Sequence, residues 1–255
     1  MRMRAAVLEE FGKPLAVREV ELSEPQAGEV LVRLVACGVC HTDLYTASGA
    51  DPSGYAPTVL GHEGAGVVEK VGDGVTSLAA GDHVVTLFSP QCRECIHCRS
   101  DRTNLCLAIR EQQNKGYLPD GTTRLHADGE PMRHFMGTST FAEYTVMPEI
   151  ALAKINPEAP LDGAALFACG LSTGIGAAMN TATVAPASTR AVKSAAPIPV
   201  DSPHANGAQP ASGASGLTFA SAISGITVYS ANVEVPMKWR RGSPSRESRV
   251  VPSGR

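Results

Sequence analysis

The sequence has no apolar run approaching the roughly 18 residues that a membrane-crossing helix needs, so no membrane association is expected. It has no basic excess either: the formal net charge is -3, which argues against a chain whose main task is gripping nucleic acid or anionic lipid. No charged-then-apolar leader ending in a small-residue cleavage site opens it, because Met1 to Glu10 carries charges at both ends (Arg2, Arg4, Glu9 and Glu10) and runs into ordinary strand pattern. A cytoplasmic protein is therefore expected. In that reducing compartment the seven cysteines make a poor disulfide framework, and their clustering favours metal ligation.

What is present falls into two unlike parts. Residues 1–189 hold 14 Lys+Arg against 22 Asp+Glu, whereas residues 190–255 hold 8 against 3, so the formal charge passes from -8 to +5. In the first part, short β-type runs at Arg4–Leu8, Leu15–Val20, Glu29–Ala36, Gly66–Val71 and Asp82–Leu87 are broken by glycines, with Gly72-Asp73-Gly74 read as a hairpin connection. A helical turn is expected over Cys40–Ser48, strands over Phe141–Met147 and Ala151–Ile155, and a helix over Leu161–Met179. Residues 89–139 read as a long excursion, a kind of segment that is usually functional or pinned. The second part, rich in Ala, Ser, Pro and Gly without periodicity, reads as a largely disordered tail over 190–255. Within it, Leu217–Val235 has enough apolar content for a strand or two.

Cys92-x2-Cys95-x2-Cys98-x7-Cys106 supplies four thiolates within fifteen residues, which suits closed tetrahedral sulfur coordination of a structural zinc. An iron-sulfur cluster is the competing metal reading, since the same short spacings serve such clusters. Arg93, Arg99 and Arg102 lie nearby without interleaved aromatics, so they read as solvating this lobe rather than as a nucleic-acid surface.

Three further features carry no spacing signal. Cys40-His41-Thr42-Asp43, Gly61-His62-Glu63 and Cys169-Gly170 are far apart, and taken singly they read as buried or structural residues. Their order matters. Val39-Cys40-His41-Thr42-Asp43, then Gly61-His62-Glu63-Gly64-Ala65-Gly66, then the Cys92–Cys106 lobe, then Phe167-Ala168-Cys169-Gly170-Leu171-Ser172-Thr173-Gly174 resemble the medium-chain zinc-dependent alcohol dehydrogenases. The class III, glutathione-dependent formaldehyde dehydrogenase branch is the most similar. The resemblance extends from about Arg4 to about Thr189.

It implies a mainly β, GroES-like catalytic domain over 1–160 carrying a structural-zinc lobe at 89–110, followed by a helical segment at 161–189. It also implies a catalytic zinc on Cys40, His62 and Cys169 with an open fourth position, and a structural zinc on Cys92, Cys95, Cys98 and Cys106. Glu63 would lie just outside the catalytic ligands or act as an occasional one, and Asp43 would accept a hydrogen bond from His62. Thr42 would pass the substrate proton, while His41 and Thr173 would contact NAD. The implied partner is a small alcohol or thiol adduct, and the family is usually homo-oligomeric.

Beyond Thr189 the resemblance stops. The Gly-x-Gly-x-x-Gly turn of a Rossmann domain does not follow, and Gly213-Ala214-Ser215-Gly216 lacks both its spacing and a preceding strand. The expectation is a chain truncated before its nucleotide-binding domain, most simply by a frameshift near codon 189, and thus an incomplete, inactive alcohol dehydrogenase. The alternative is a non-catalytic zinc-binding β-domain or interaction fragment.

Overall fold

The buried apolar run Ala5–Leu8 and the alternating Val20 and Leu22 lie in two strands, β1 (Arg2–Leu8) and β2 (Ala16–Leu22), that pair antiparallel with Val7 opposite Ala16. In the computed structural model, residues 1–180 other than Asp101, together with Thr227–Ser230, are described. The remaining strands are β3 (Glu29–Val39), β4 (Thr58–Val59), β5 (Glu63–Val71), β6 (His83–Thr86), β7 (Leu125–Ala127), β8 (Glu130–His134), β9 (Tyr144–Pro148), β10 (Leu152–Lys154) and β11 (Thr227–Ser230). Helices α1 (His41–Ala47), α2 (Ile96–Arg99), α3 (Leu107–Gln113), α4 (Leu161–Ala164) and α5 (Gly170–Asn180) are short.

Strands β1, β2, β7, β8 and β4 close a small barrel, and a six-stranded sheet runs β10-β6-β5-β3-β11, with β9 also pairing with β3. Met3, Val7, Leu22, Val59, Leu60, Leu125 and Phe141 contribute to the barrel core. Val30, Val32, Leu34, Val68, Val84 and Met147 form a second apolar cluster on the sheet. A third, small cluster joins Ala36, Ala65 and Val85 to Ala164 and Ala165, which seats α4 on the sheet. The small side chains there let helix and sheet backbones approach closely.

The expected strands all appear, with shifted ends. Three expectations need correction. The excursion at 89–139 supplies barrel strands: β7 and β8 form a hairpin across Asp128-Gly129, with Leu125 opposite Met132. Their sequence is too short and polar to alternate visibly, because only Leu125, Met132 and His134 are fully buried. Gly72–Gly74 lies, as expected, in a hairpin connection, that of antiparallel β5 and β6, but the connection runs eleven residues, 72–82, and is not a tight turn. The expected helix 161–179 is interrupted. A 3-10 turn over Ala165–Ala168 ends at Cys169, whose φ of -148° and ψ of -67° are not helical, and α5 starts at the next residue. The tail expected to be disordered lies outside the described residues, except that β11 falls within Leu217–Val235.

Candidate metal centres

Each residue of the first centre comes from the end of a regular element. Cys40 follows the last residue of β3 and caps α1, where its N–H donates to Asp43 Oδ2 (2.9 Å). His62 and Glu63 stand at the start of β5, entered through Gly61 at φ 89°. A side chain at position 61 would meet Phe141 Cδ1 at 2.5 Å, so close packing and backbone conformation both select glycine. Cys169 sits at the break before α5. These four residues bring their ligand atoms within 4.8 Å of one another, and His62, Glu63 and Cys169 are buried.

The surrounding residues orient them. Asp43, itself buried, lies with Oδ1 3.3 Å from His62 Nδ1 and accepts a bond from the Gly61 N–H (3.1 Å). The Thr86 hydroxyl donates to the His62 carbonyl (3.2 Å) and accepts from the Gly64 N–H (2.9 Å). Phe88 and Phe135 pack against the His62 ring in T-shaped contacts at centroid distances of 5.4 and 6.0 Å. Thr42 Oγ1 is 3.5 Å from Cys40 Sγ, and Thr173 Oγ1 is 3.8 Å from Cys169 Sγ. His41 is exposed on the first turn of α1. Thr86, Phe88 and Phe135 were not legible in the sequence, since an ordinary strand Thr or core Phe carries no distinguishing spacing.

Electrostatics at this centre are those of a cluster short of positive charge. The Cys169 thiol above all, then His62 and Thr42, pull Cys40 down to about 3 against the opposing effect of burial. Cys169 is pushed up in return by Cys40 and by burial. For His62, burial opposes protonation but the Asp43 and Cys40 charges prevail and raise it to about 10. Burial lifts Glu63 to about 7, with the Cys40 and Asp43 charges adding to it and His62 opposing. Glu63 Oε2 is buried without a hydrogen-bond partner. An orphaned carboxylate oxygen beside two cysteines and an imidazole fits a soft divalent cation, whose binding would displace the shared protons.

The second centre is the lobe. Cys92, Cys95, Cys98 and Cys106 also bring their sulfurs within 4.8 Å of one another. Cys92 and Cys98 Sγ stand 3.9 Å apart. Four sulfurs at about 2.3 Å from one ion lie roughly 3.8 Å apart, so the spacing fits a single zinc; a multi-iron cluster would spread its ligands further. Backbone amides supply the turn: Cys95 N–H donates to Cys92 Sγ and Cys92 N–H to Cys106 Sγ, each at 3.3 Å. Amides of Cys98 and Leu107 draw Cys95 down to about 6, and those of Cys95 and Glu94 lower Cys92. Burial and the neighbouring Cys95 push Cys98 up to about 12.

A cleft of about 190 Å³ is lined by Thr42, Phe88 and Phe135, which flank the first centre, by Cys106 of the lobe, and by Asp51, Tyr55 and Arg110. No described helix is long and apolar enough to cross a membrane.

The family profile of the alcohol dehydrogenase GroES-like domain matches residues 26–157. An alcohol dehydrogenase class-3 of Cereibacter sphaeroides is 58% identical over 185 residues, covering 72% of this chain and 49% of that protein. An S-(hydroxymethyl)glutathione dehydrogenase of Escherichia coli is 56% identical over 192 residues, covering 75% and 52%. Among solved structures, an alcohol dehydrogenase zinc-binding domain protein from Burkholderia ambifaria aligns with a TM-score of 0.66 at 41% identity over 72% of this chain and 50% of that one. A benzyl alcohol dehydrogenase from Acinetobacter calcoaceticus aligns with a TM-score of 0.66 at 34% identity, covering 74% and 50%. The chain thus spans about half the length of the curated relatives it matches. By sequence and by fold it belongs to the alcohol dehydrogenase GroES-like domain family.

Proposed function

We propose that residues 1–189 are the substrate-activating half of a zinc- and NAD-dependent alcohol dehydrogenase that oxidises a primary alcohol or an S-(hydroxymethyl)glutathione-type adduct. The observation that carries this is the convergence of Cys40, His62 and Cys169, with Glu63, from distant points in the sequence onto one ligand-sized space. Zinc bound there would polarise a substrate oxygen and lower the pKa of an alcohol. Glu63 is assigned as an alternative ligand or as a charge close to the ion.

The chain's own residues do the rest. Asp43 fixes the His62 tautomer and orientation, so that the other ring nitrogen faces the cluster. Thr42, beside Cys40, receives the substrate hydroxyl proton. Phe88 and Phe135 keep water from the His62 ring. In the cleft, Asp51 and Arg110 offer one charge of each sign to a substrate that carries both, which favours a peptide-like thiol adduct over a bare alkyl alcohol. His41 and Thr173 are assigned to the dinucleotide. The reading places the protein in the cytoplasm, as a homo-oligomer wherever a nucleotide-binding domain accompanies it.

Because the sequence carries no Gly-x-Gly-x-x-Gly turn, this polypeptide alone is proposed to hold zinc without NAD-dependent turnover. Zinc content per chain tests the assignment. Two ions are expected, falling to one in Cys40→Ala and to one in Cys98→Ala. A stoichiometry unchanged by Cys40→Ala would leave only the lobe, and NADH production from alcohol by the purified chain would refute the loss of turnover.

A further inference from the structure

Strand β3 has two edges, and they are occupied differently along its length. One edge pairs with β5 from Val30 opposite Val71 to Gly38 opposite Glu63. The other pairs with β9 only as far as Arg33 opposite Tyr144. Leu34 still donates its N–H to the Glu143 carbonyl (2.9 Å), but there the neighbouring chain turns away: Glu143 N–H goes to Arg4 O (3.1 Å) and Ala6 N–H to Phe141 O (2.8 Å). Residues 141–143 are thus committed to β1 of the barrel. Among the described residues up to Asn180, no other strand pairs with that edge of Ala36–Val39, and an unpaired edge accepts any extended segment that reaches it.

Strand β11 fills that gap. It runs parallel to β3 with Thr227 opposite Ala36, Val228 opposite Cys37, Tyr229 opposite Gly38 and Ser230 opposite Val39. The residue that follows β3 is Cys40, and across the other edge of the strand Gly38 faces Glu63. The stretch of sheet that β11 completes is therefore the stretch that sets Cys40 against His62 and Glu63.

We propose that Thr227–Ser230 acts as a latch, an edge strand supplied by the basic C-terminal part of the chain that locks the Cys40 end of β3 and so holds the Cys40–His62–Cys169 cluster in register. Parallel pairing points alternate amides of a strand at its partner, so two consecutive prolines remove at least one ladder donor whichever amides are engaged. Closing the edge also converts Ala36–Val39 from an exposed strand border into a central strand, whose opening requires breaking pairs on both sides.

The test is amide hydrogen exchange on the full chain carrying Val228→Pro and Tyr229→Pro together. Exchange across Ala36–Val39 is expected to accelerate roughly tenfold or more, while Arg4–Val7 in β1 stays protected. Ala214→Pro with Ser215→Pro, in the same part of the chain but outside the latch, is expected to change neither. Should the proline pair loosen β1 as well, Val228→Gly, which weakens a strand without removing an amide, must give a smaller acceleration confined to Ala36–Val39. Unchanged exchange at Ala36–Val39, an equal effect of the control pair, or loss of protection that spreads over the barrel in Val228→Gly as well would overturn the proposal.

A second readout rests on the metal reading above. Zinc release to a chromogenic chelator should speed up several-fold for one ion and stay unchanged for the other. If exchange responds as expected but no such zinc is found, the latch stands and the metal assignment falls.

Discussion

A Cβ atom on residue 38 would stand 1.9 Å from Glu63 Oε2 and 2.9 Å from Glu63 Cβ, so Gly38 and Glu63 face each other across the β3–β5 ladder with room for one side chain only. The space denied to residue 38 is the space that lets the Glu63 carboxylate turn toward Cys40 and Cys169. Gly38→Ala is expected to push that carboxylate out and to destabilise the fold by about 1–3 kcal/mol through overpacking. Combining it with Glu63→Gly should restore most of the stability while leaving the Cys40 cluster short of its charge. Denaturant unfolding of the two variants, with zinc stoichiometry, checks both halves of the expectation. Equal stability of Gly38→Ala and wild type would show that the carboxylate does not need this space.

Asp43 has three tasks within one buried carboxylate: accepting the Cys40 N–H on Oδ2, accepting the Gly61 N–H on Oδ1 and meeting His62 Nδ1 on the same oxygen. An asparagine can keep one oxygen for two of these tasks but must present an NH2 to the third. Asp43→Asn should therefore cost about 1–3 kcal/mol of stability. Metal affinity at the Cys40 cluster should also fall by about 10–100-fold, because His62 loses the anionic partner that fixes its tautomer. Chelator competition resolves the two ions, and the lobe's affinity should not change.

Sequence pattern reaches these centres unequally. Cys92 to Cys106 announces itself, because four ligands on one short loop leave their chemistry in the spacing. Cys40, His62 and Cys169 do not; only the order of motifs shared with a family links them, since the strands β3 and β5 that bring them together do so through long-range register. The helical pattern around Cys169 shows the limit clearly. Ala, Leu and Gly continue on both sides of it, so nothing local marks the break that sets the thiol beside Cys40. The hairpin of β7 and β8 was hidden for a different reason, as a strand of three residues is too short to display a period. Glu29 and Arg124 lie 95 positions apart and gave no signal at all.

His134 is buried and neutral, its Nε2 accepting the Arg124 N–H at 3.3 Å while Nδ1 has no partner. Burial, reinforced by the Arg124 charge and by His126 and only partly offset by Asp120, pushes it down to about 3. An unfolded histidine titrates near 6.5. The folded value is the lower of the two, so this contribution to stability is complete above pH 6.5. As pH falls from there toward 3 the unfolded chain takes up the proton first, and stability declines by at most about 1.4 kcal/mol per pH unit. His134→Gln keeps an acceptor for the Arg124 amide but cannot titrate. Urea unfolding at intervals between pH 7 and 4.5 should give a shallower slope for the variant than for wild type, and parallel slopes would assign the acid sensitivity to other groups.

Arg124 is the largest fully buried side chain among the described residues, and its guanidinium joins two parts of the chain. Nε and Nη2 donate to Glu29 Oε2 and Oε1 at 2.8 and 2.6 Å, and Nη2 also reaches Asp120 Oδ2 at 2.6 Å. The pair fastens the start of β3 to the segment between the cysteine lobe and β7. Removing one member of a buried pair leaves the other charge without compensation, typically a loss of about 3–5 kcal/mol. Arg124→Met should fall in that range, since it strands Glu29; Asp120 is partly exposed and can return to water. Adding Glu29→Gln removes the stranded charge and leaves an amide oxygen for the Gln26 N–H that Glu29 now accepts at 2.9 Å. The double variant is therefore expected to be more stable than Arg124→Met alone, with a coupling of about 1–3 kcal/mol in the cycle. Additive losses would mean that the ion pair carries no such energy and that Arg124 contributes through packing alone.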